Sequence, residues 1–113
     1  MVRRRKATES PAADVWHRLE SFTNTLYQEM DKLAKKAPAS RLSDLATERV
    51  NRAIREAKEL MGQHDTYIAD LAEFVPAGEN PEVRDAVLVL GEIRAALERL
   101  DETFKLTRQI RGF

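Results

Sequence analysis

Two histidines and several paired carboxylates are the side chains in this sequence that could do chemistry. His17 has Glu20 one helical turn away, and His64 is followed directly by Asp65. Imidazole together with carboxylate is a donor set that suits zinc or iron. In di-metal helical bundles a Glu precedes its His by three residues, whereas "HRLE" runs in the reverse order. A single His in an apolar row is more often a hydrogen-bonded boundary residue, so no metal and no cofactor is expected. The sequence has no cysteine, which excludes thiolate ligands, disulfides and a cysteine nucleophile. It has no Gly-rich phosphate loop and no nucleophile elbow. No catalytic residue is assigned.

The carboxylates form two i, i+3 pairs: Glu56 with Glu59 in "EAKE", and Glu98 with Asp101 in "ERLD". These resemble the paired acidic motifs of the all-α nucleotide pyrophosphohydrolases. Here a longer stretch separates the two motifs, and the first has no additional acid beside it. The resemblance implies carboxylates that hold magnesium for release of pyrophosphate from a nucleotide. It stands as the third reading of function. Glu residues three apart are also common on any charged helix face.

The elements that would position these groups are helical. Of the 113 residues, 42% are apolar and 34% are charged, with four Gly and four Pro. That composition favours helix and fits one domain. Val15, Leu19, Phe22, Leu26, Met30 and Leu33 recur at spacings of four and three. They predict a first amphipathic helix, with Ser10 as cap, Pro11 as first residue, and an end before Pro38. A second helix starts near Ser40 or Ser43. Its apolar row runs Leu42, Leu45, Ala46, Val50, Ala53, Ile54, Ala57, Leu60 and Met61.

The phase of that row survives Gly62, through His64, Ile68, Leu71 and Val75. An interior Gly costs about 1 kcal/mol, and exposing one large apolar side chain costs about 1.5–3 kcal/mol. The spacing therefore predicts one helix over about 43–75, bent or broken at Gly62. A third helix is predicted from the Asn80 cap and Pro81 to near Arg111, along Val83, Val87, Leu90, Ile93, Leu97, Leu100 and Phe104. Short connections then give an all-α fold, an antiparallel up-down-up three-helix bundle over residues 11–113. Residues 1–10, with Arg3, Arg4, Arg5 and Lys6 against Glu9, read as a flexible basic tail.

Two surfaces invite partners. The third helix is apolar around more of its girth than a three-helix core needs. Leu88 and Val89, with Tyr67 and Phe74, form an expected interface for a second copy or a protein partner. Charge is also sorted along the chain. Residues 32–58 hold eight cations against three acids, and residues 65–92 hold seven acids against Arg84. In up-down-up order these segments occupy opposite ends, so Arg49, Arg52 and Lys36 are candidate anion-binding residues. No aromatic interleaves with them as a base-stacking platform would require. No apolar run reaches the ~20 residues of a membrane span, and a cytoplasmic location is expected. The favoured function is a small non-catalytic helical assembly module that self-associates through the apolar patch. The second reading is an accessory nucleic-acid-binding subunit using the basic end and the Arg-rich tail.

Overall fold

The first apolar row does build a helix, α1, over Ala13–Lys36. The structure, a computed structural model, describes residues 11–74 and 80–107. The basic tail, Ser10, Val75, Pro76 and Arg111 lie outside the described residues, as do the expectations placed on them. The chain is all-α, with four helices among the described residues: α1, α2 over Asp44–Met61, α3 over Thr66–Asp70 and α4 over Val83–Phe104.

Helix α1 starts two residues later than its Pro signal predicts. Ala12 occupies the cap position without a side-chain bond, and the Trp16 N–H donates to the Ala12 carbonyl at 3.0 Å. Its buried row is Trp16, Leu19, Thr23, Leu26 and Met30, which leaves Leu33 outside. Helix α2 uses Ser43 as its cap, whose Oγ accepts from the Ala46 N–H at 3.1 Å. Val50, Ala53, Ile54, Ala57 and Met61 are fully buried, but Leu45 is exposed.

The long second helix is not formed; α2 ends at Met61. The His64 and Asp65 N–H groups both turn back to the Met61 carbonyl, at 2.8 and 2.9 Å. Asp65 then caps a separate helix, its Oδ1 accepting from the N–H groups of Tyr67 and Ile68 at 3.1 and 3.3 Å. A carboxylate that offers the backbone this alternative competes with helix continuation. Ile68 is buried all the same, so α3 satisfies the apolar row without extending the rod.

After α3 the chain runs back along α2. The Lys58 Nζ donates to the Leu71 carbonyl at 2.8 Å. Asn51 bonds both backbone groups of Phe74 at 2.7 Å. Asn80 is thereby delivered to the start of α2, where its Nδ2 donates to the Leu42 carbonyl and to Asp44 Oδ1, both at 2.8 Å. The Leu42 N–H donates to Pro81 at 2.9 Å and the Val83 N–H to Ser40 at 2.8 Å, which pairs Arg41 with Glu82 in a single antiparallel bridge. Because Asn80 and Pro81 serve this junction, α4 begins at Val83. The Glu82 N–H donates to Asp85 Oδ2 at 3.2 Å there. The helix ends at Phe104 rather than near Arg111. Lys105 takes a left-handed φ of 56°, and Asp101 accepts from the Thr107 N–H and hydroxyl, each at 2.7 Å.

The direction of α4 also departs from the up-down-up expectation. Helix α4 is antiparallel to α1. Trp16 Nε1 donates to the Leu97 carbonyl at 3.0 Å, Arg94 to Asn24 at 2.8 Å, and the Arg84 N–H to Pro38 at 3.1 Å. Helix α4 is parallel to α2, since their starts share Asn80 while Arg99 meets Asp65 at 2.6 Å beyond the end of α2. The three long helices pack pairwise, and α3 lies against α2 and α4.

Gly62 sits at the turn with φ −57°, a value that Ala adopts freely. On backbone entropy alone, Gly→Ala would stabilise by about 0.4–1 kcal/mol. An added Cβ, however, would lie 2.6 Å from the Lys58 carbonyl oxygen, a backbone atom that cannot step aside cheaply. Gly62→Ala is expected to lower the unfolding free energy by about 1 kcal/mol in urea titration. A variant equal to or more stable than the parent would contradict this packing.

Candidate interaction surface

The four residues expected to form an apolar interface divide into two groups. Tyr67 is 79% exposed on α3 and Leu88 is 66% exposed on α4. Phe74 and Val89 are half-buried and pack against the core. Tyr67 stands beside Asp65, which bonds Arg99. Arg99 is about 16 Å along α4 from Leu88 at 1.5 Å per residue. The structure thus leaves two separate apolar points where one patch is expected. Two more large aliphatics are exposed, Leu45 at 69% and Leu33 at 47%. They lie in the first turn of α2 and the last turns of α1. The periodicity placed both in core rows.

The expected anion site is dispersed. Arg52 donates to Glu56 at 2.6 Å, and its guanidinium lies 4.9 Å above the ring of Phe22. It therefore ties α2 to α1. Nearby cations are engaged as well: Arg41, before α2, donates to the Asn80 carbonyl at 2.6 Å, Arg55 on α2 meets Glu48 at 2.9 Å and Glu73 at 3.6 Å, and Lys58 holds Leu71. Arg49 and Lys36 are exposed and have no ion-pair partner among the described residues. The parallel course of α4 brings Glu82 and Asp85 to the same end as Lys35, Lys36 and Arg41. The separation of acids and bases to opposite ends is overturned by that topology.

The two acidic pairs do not converge. Glu56 is bonded to Arg52, and Glu59 lines a cleft of about 370 Å³ with Val15, Leu60 and His64. Glu98 lines a different groove of about 280 Å³, with Trp16, Glu20 and Arg94. Asp101 is engaged by Thr107. His17 is exposed on α1, and the His64 ring sits edge-on to Phe104 with centroids 5.1 Å apart. Among the described residues no three His, Asp or Glu side chains cluster as metal ligands would. No helix among them is long and apolar enough to cross a membrane.

Sequence reasoning missed Asn51. Its signal is a polar residue inside the apolar row "VNRAI", and it is 2% exposed. It also missed the α1–α4 contact in which Arg94 stacks 4.2 Å above Tyr27 while bonding Asn24. Comparison with known protein families, curated proteins and solved structures finds no match, so the functional reading rests on the chain's own geometry.

Two carboxylates in this surface carry perturbed acidity. Burial would raise the pKa of Asp65, but the Arg99 guanidinium and the N–H groups of Ile68 and Tyr67 hold it below its ordinary 3.8. Burial likewise opposes ionisation of Asp101, and the Thr107 N–H and hydroxyl outweigh it. A depressed folded pKa gives stability that is complete above the unfolded value and is lost as pH falls through the folded one. The urea midpoint is expected to drop on acidification from about pH 4 to about pH 2. Asp65→Asn should start less stable at neutral pH and lose less over that interval. Parallel curves for the two proteins would contradict the Asp65 assignment.

Proposed function

We propose that this chain is a small non-catalytic helical module that works by self-association. In this reading α1, α2 and α4 form a three-helix bundle, closed on one side by α3 and the segment after it. The supporting observation is the exposure of Leu88 and Tyr67, two large side chains that the core does not use. Scattered single apolar side chains are normal on a protein surface. Leu88, however, stands on a helix whose adjacent residues Val87 and Val89 are also incompletely covered. A second copy packed along that helix would cover all three. The absence of cysteine suits a reducing compartment such as the cytoplasm.

An accessory nucleic-acid role draws less support, because Arg41, Arg52, Arg55 and Lys58 are engaged within the fold. Of the three expected anion-binding residues, Arg49 and Lys36 have no ion-pair partner among the described residues. The pyrophosphohydrolase reading needs Glu56, Glu59, Glu98 and Asp101 together, but Glu56 and Glu59 line one cleft, Glu98 lines another, and Asp101 is bonded to Thr107.

Solution mass by light scattering tests the proposal. The expected result is a mass above that of the 12.9 kDa chain, which Leu88→Glu reduces toward the monomer while Lys36→Glu leaves it unchanged. A monomeric parent at high protein concentration would sink the self-association reading. A salt-sensitive shift with RNA or DNA that Arg49→Ala abolishes would favour the nucleic-acid alternative instead.

A further inference from the structure

Two connections carry the chain between long helices, and they are fastened in different ways. Residues 37–43 are tied to the start of α4 through backbone groups. Leu42 donates to Pro81, Val83 to Ser40 and Arg84 to Pro38, at 2.9, 2.8 and 3.1 Å. Residues 66–74 have no such tie. Among the described residues, no backbone–backbone hydrogen bond joins that segment to α2 or α4.

Its fasteners are side chains. The Asn51 amide accepts from the Phe74 N–H and donates to the Phe74 carbonyl, both at 2.7 Å. Lys58 holds the Leu71 carbonyl at 2.8 Å, and Arg55 lies 3.6 Å from Glu73. Asp65, at the hinge, takes the Arg99 guanidinium at 2.6 Å. Lys58, Arg55 and Glu73 are exposed, so water competes for their contacts and they add little. Within 66–74 only Ile68 is buried; Leu71 and Phe74 are partly covered. The long helices are held far more heavily, with seven buried residues on α2 and seven on α4.

We propose that residues 66–74 are a strap that unlatches as one unit from α2 and α4 while the three long helices stay folded, with the Asn51 amide as its latch. Segments with few buried side chains and no shared backbone ladder are drawn from the low end of a protein's local stabilities. The hinge is the turn at Gly62–His64, where α2 has already ended. The strap covers both α2 and α4, so each opening uncovers the seam between two parallel helices. The inference does not depend on self-association.

Native-state hydrogen exchange in low urea, read by mass spectrometry on the full chain, tests it. The expected result is that amides of Ala69, Leu71 and Phe74 exchange together, faster than those of Val50–Met61 and Leu90–Leu100. Their opening should also show a weaker urea dependence than the helices. Asn51→Ala is expected to speed strap exchange about 10- to 100-fold, leaving the long helices within about twofold of the parent. The parent series stands alone if that variant fails to fold. Strap and helix amides exchanging at one common rate in every urea concentration would overturn the proposal, as would an Asn51→Ala effect spread evenly over the chain.

Discussion

One buried amide holds the return of the chain along α2. Asn51 sits on the core-facing side of α2, where an apolar residue would be expected, and presents a donor and an acceptor in one plane. An extended segment lying against a helix has unpaired N–H and C=O groups, and burying them without partners is costly. The Asn side chain answers both at once, as a neighbouring strand would. With Phe74 fixed there, the chain points back toward the start of α2. Asn80 docks on Leu42 and Asp44, and α4 sets out from there parallel to α2. The buried bond from Trp16 to Leu97 and the stacking of Arg94 on Tyr27 both depend on that direction.

Topology in turn decides what the charges do. A cation-rich segment looks like a docking face when it is laid out along a sequence. In the folded chain α2 lies against the returning segment, which offers carbonyl and carboxylate acceptors, and against α1, which offers the ring of Phe22. Arg41 and Lys58 bind carbonyl groups, Arg55 binds carboxylates, and Arg52 lies over an aromatic ring while pairing with Glu56. These cations have partners within the molecule. An external anion would have to compete with them, and this holds most strongly for guanidiniums already in a charge-assisted bond.

The three long helices were legible because burial repeats every three or four residues wherever a helix meets a core. The buried rows of α1, α2 and α4 include Leu19, Leu26, Val50, Ile54, Leu90 and Leu97, each in a predicted row. The break was not legible from the same pattern. Periodicity favours a continuous helix over a break at Gly62 only if the break would expose Ile68. The structure buries Ile68 after the break, so breaking the helix does not forfeit its burial. The Asp65 cap and the turn to the Met61 carbonyl then decide. Periodicity reports which residues are buried; it does not report by what route the chain reaches them. The same limit explains the interface residues. Leu88 and Tyr67 were legible as surplus apolar groups, whereas the cover over Phe74 and Val89 comes from long-range packing that spacing does not encode.

The two crossings show how a small domain can combine a fixed scaffold with a loosely attached part. Residues 38–42 and 81–84 are joined by backbone bonds, reinforced by the Asn80 and Arg41 side chains, so a side-chain change there that keeps the N–H groups leaves the backbone bonds available. The hold on residues 66–74 is different. It resides in particular side chains, Asn51 and Ile68 foremost, and each can be altered without disturbing a helix ladder. A stability of this kind can shift locally while the rest of the molecule is unchanged. Exposed groups such as Leu88 and Tyr67 belong to yet another category, since removing them takes away nothing from the core. Core packing, the hold on residues 66–74 and the exposed apolar surface thus rest largely on different residues among those described. Substitutions in each set should therefore be separable in their effects.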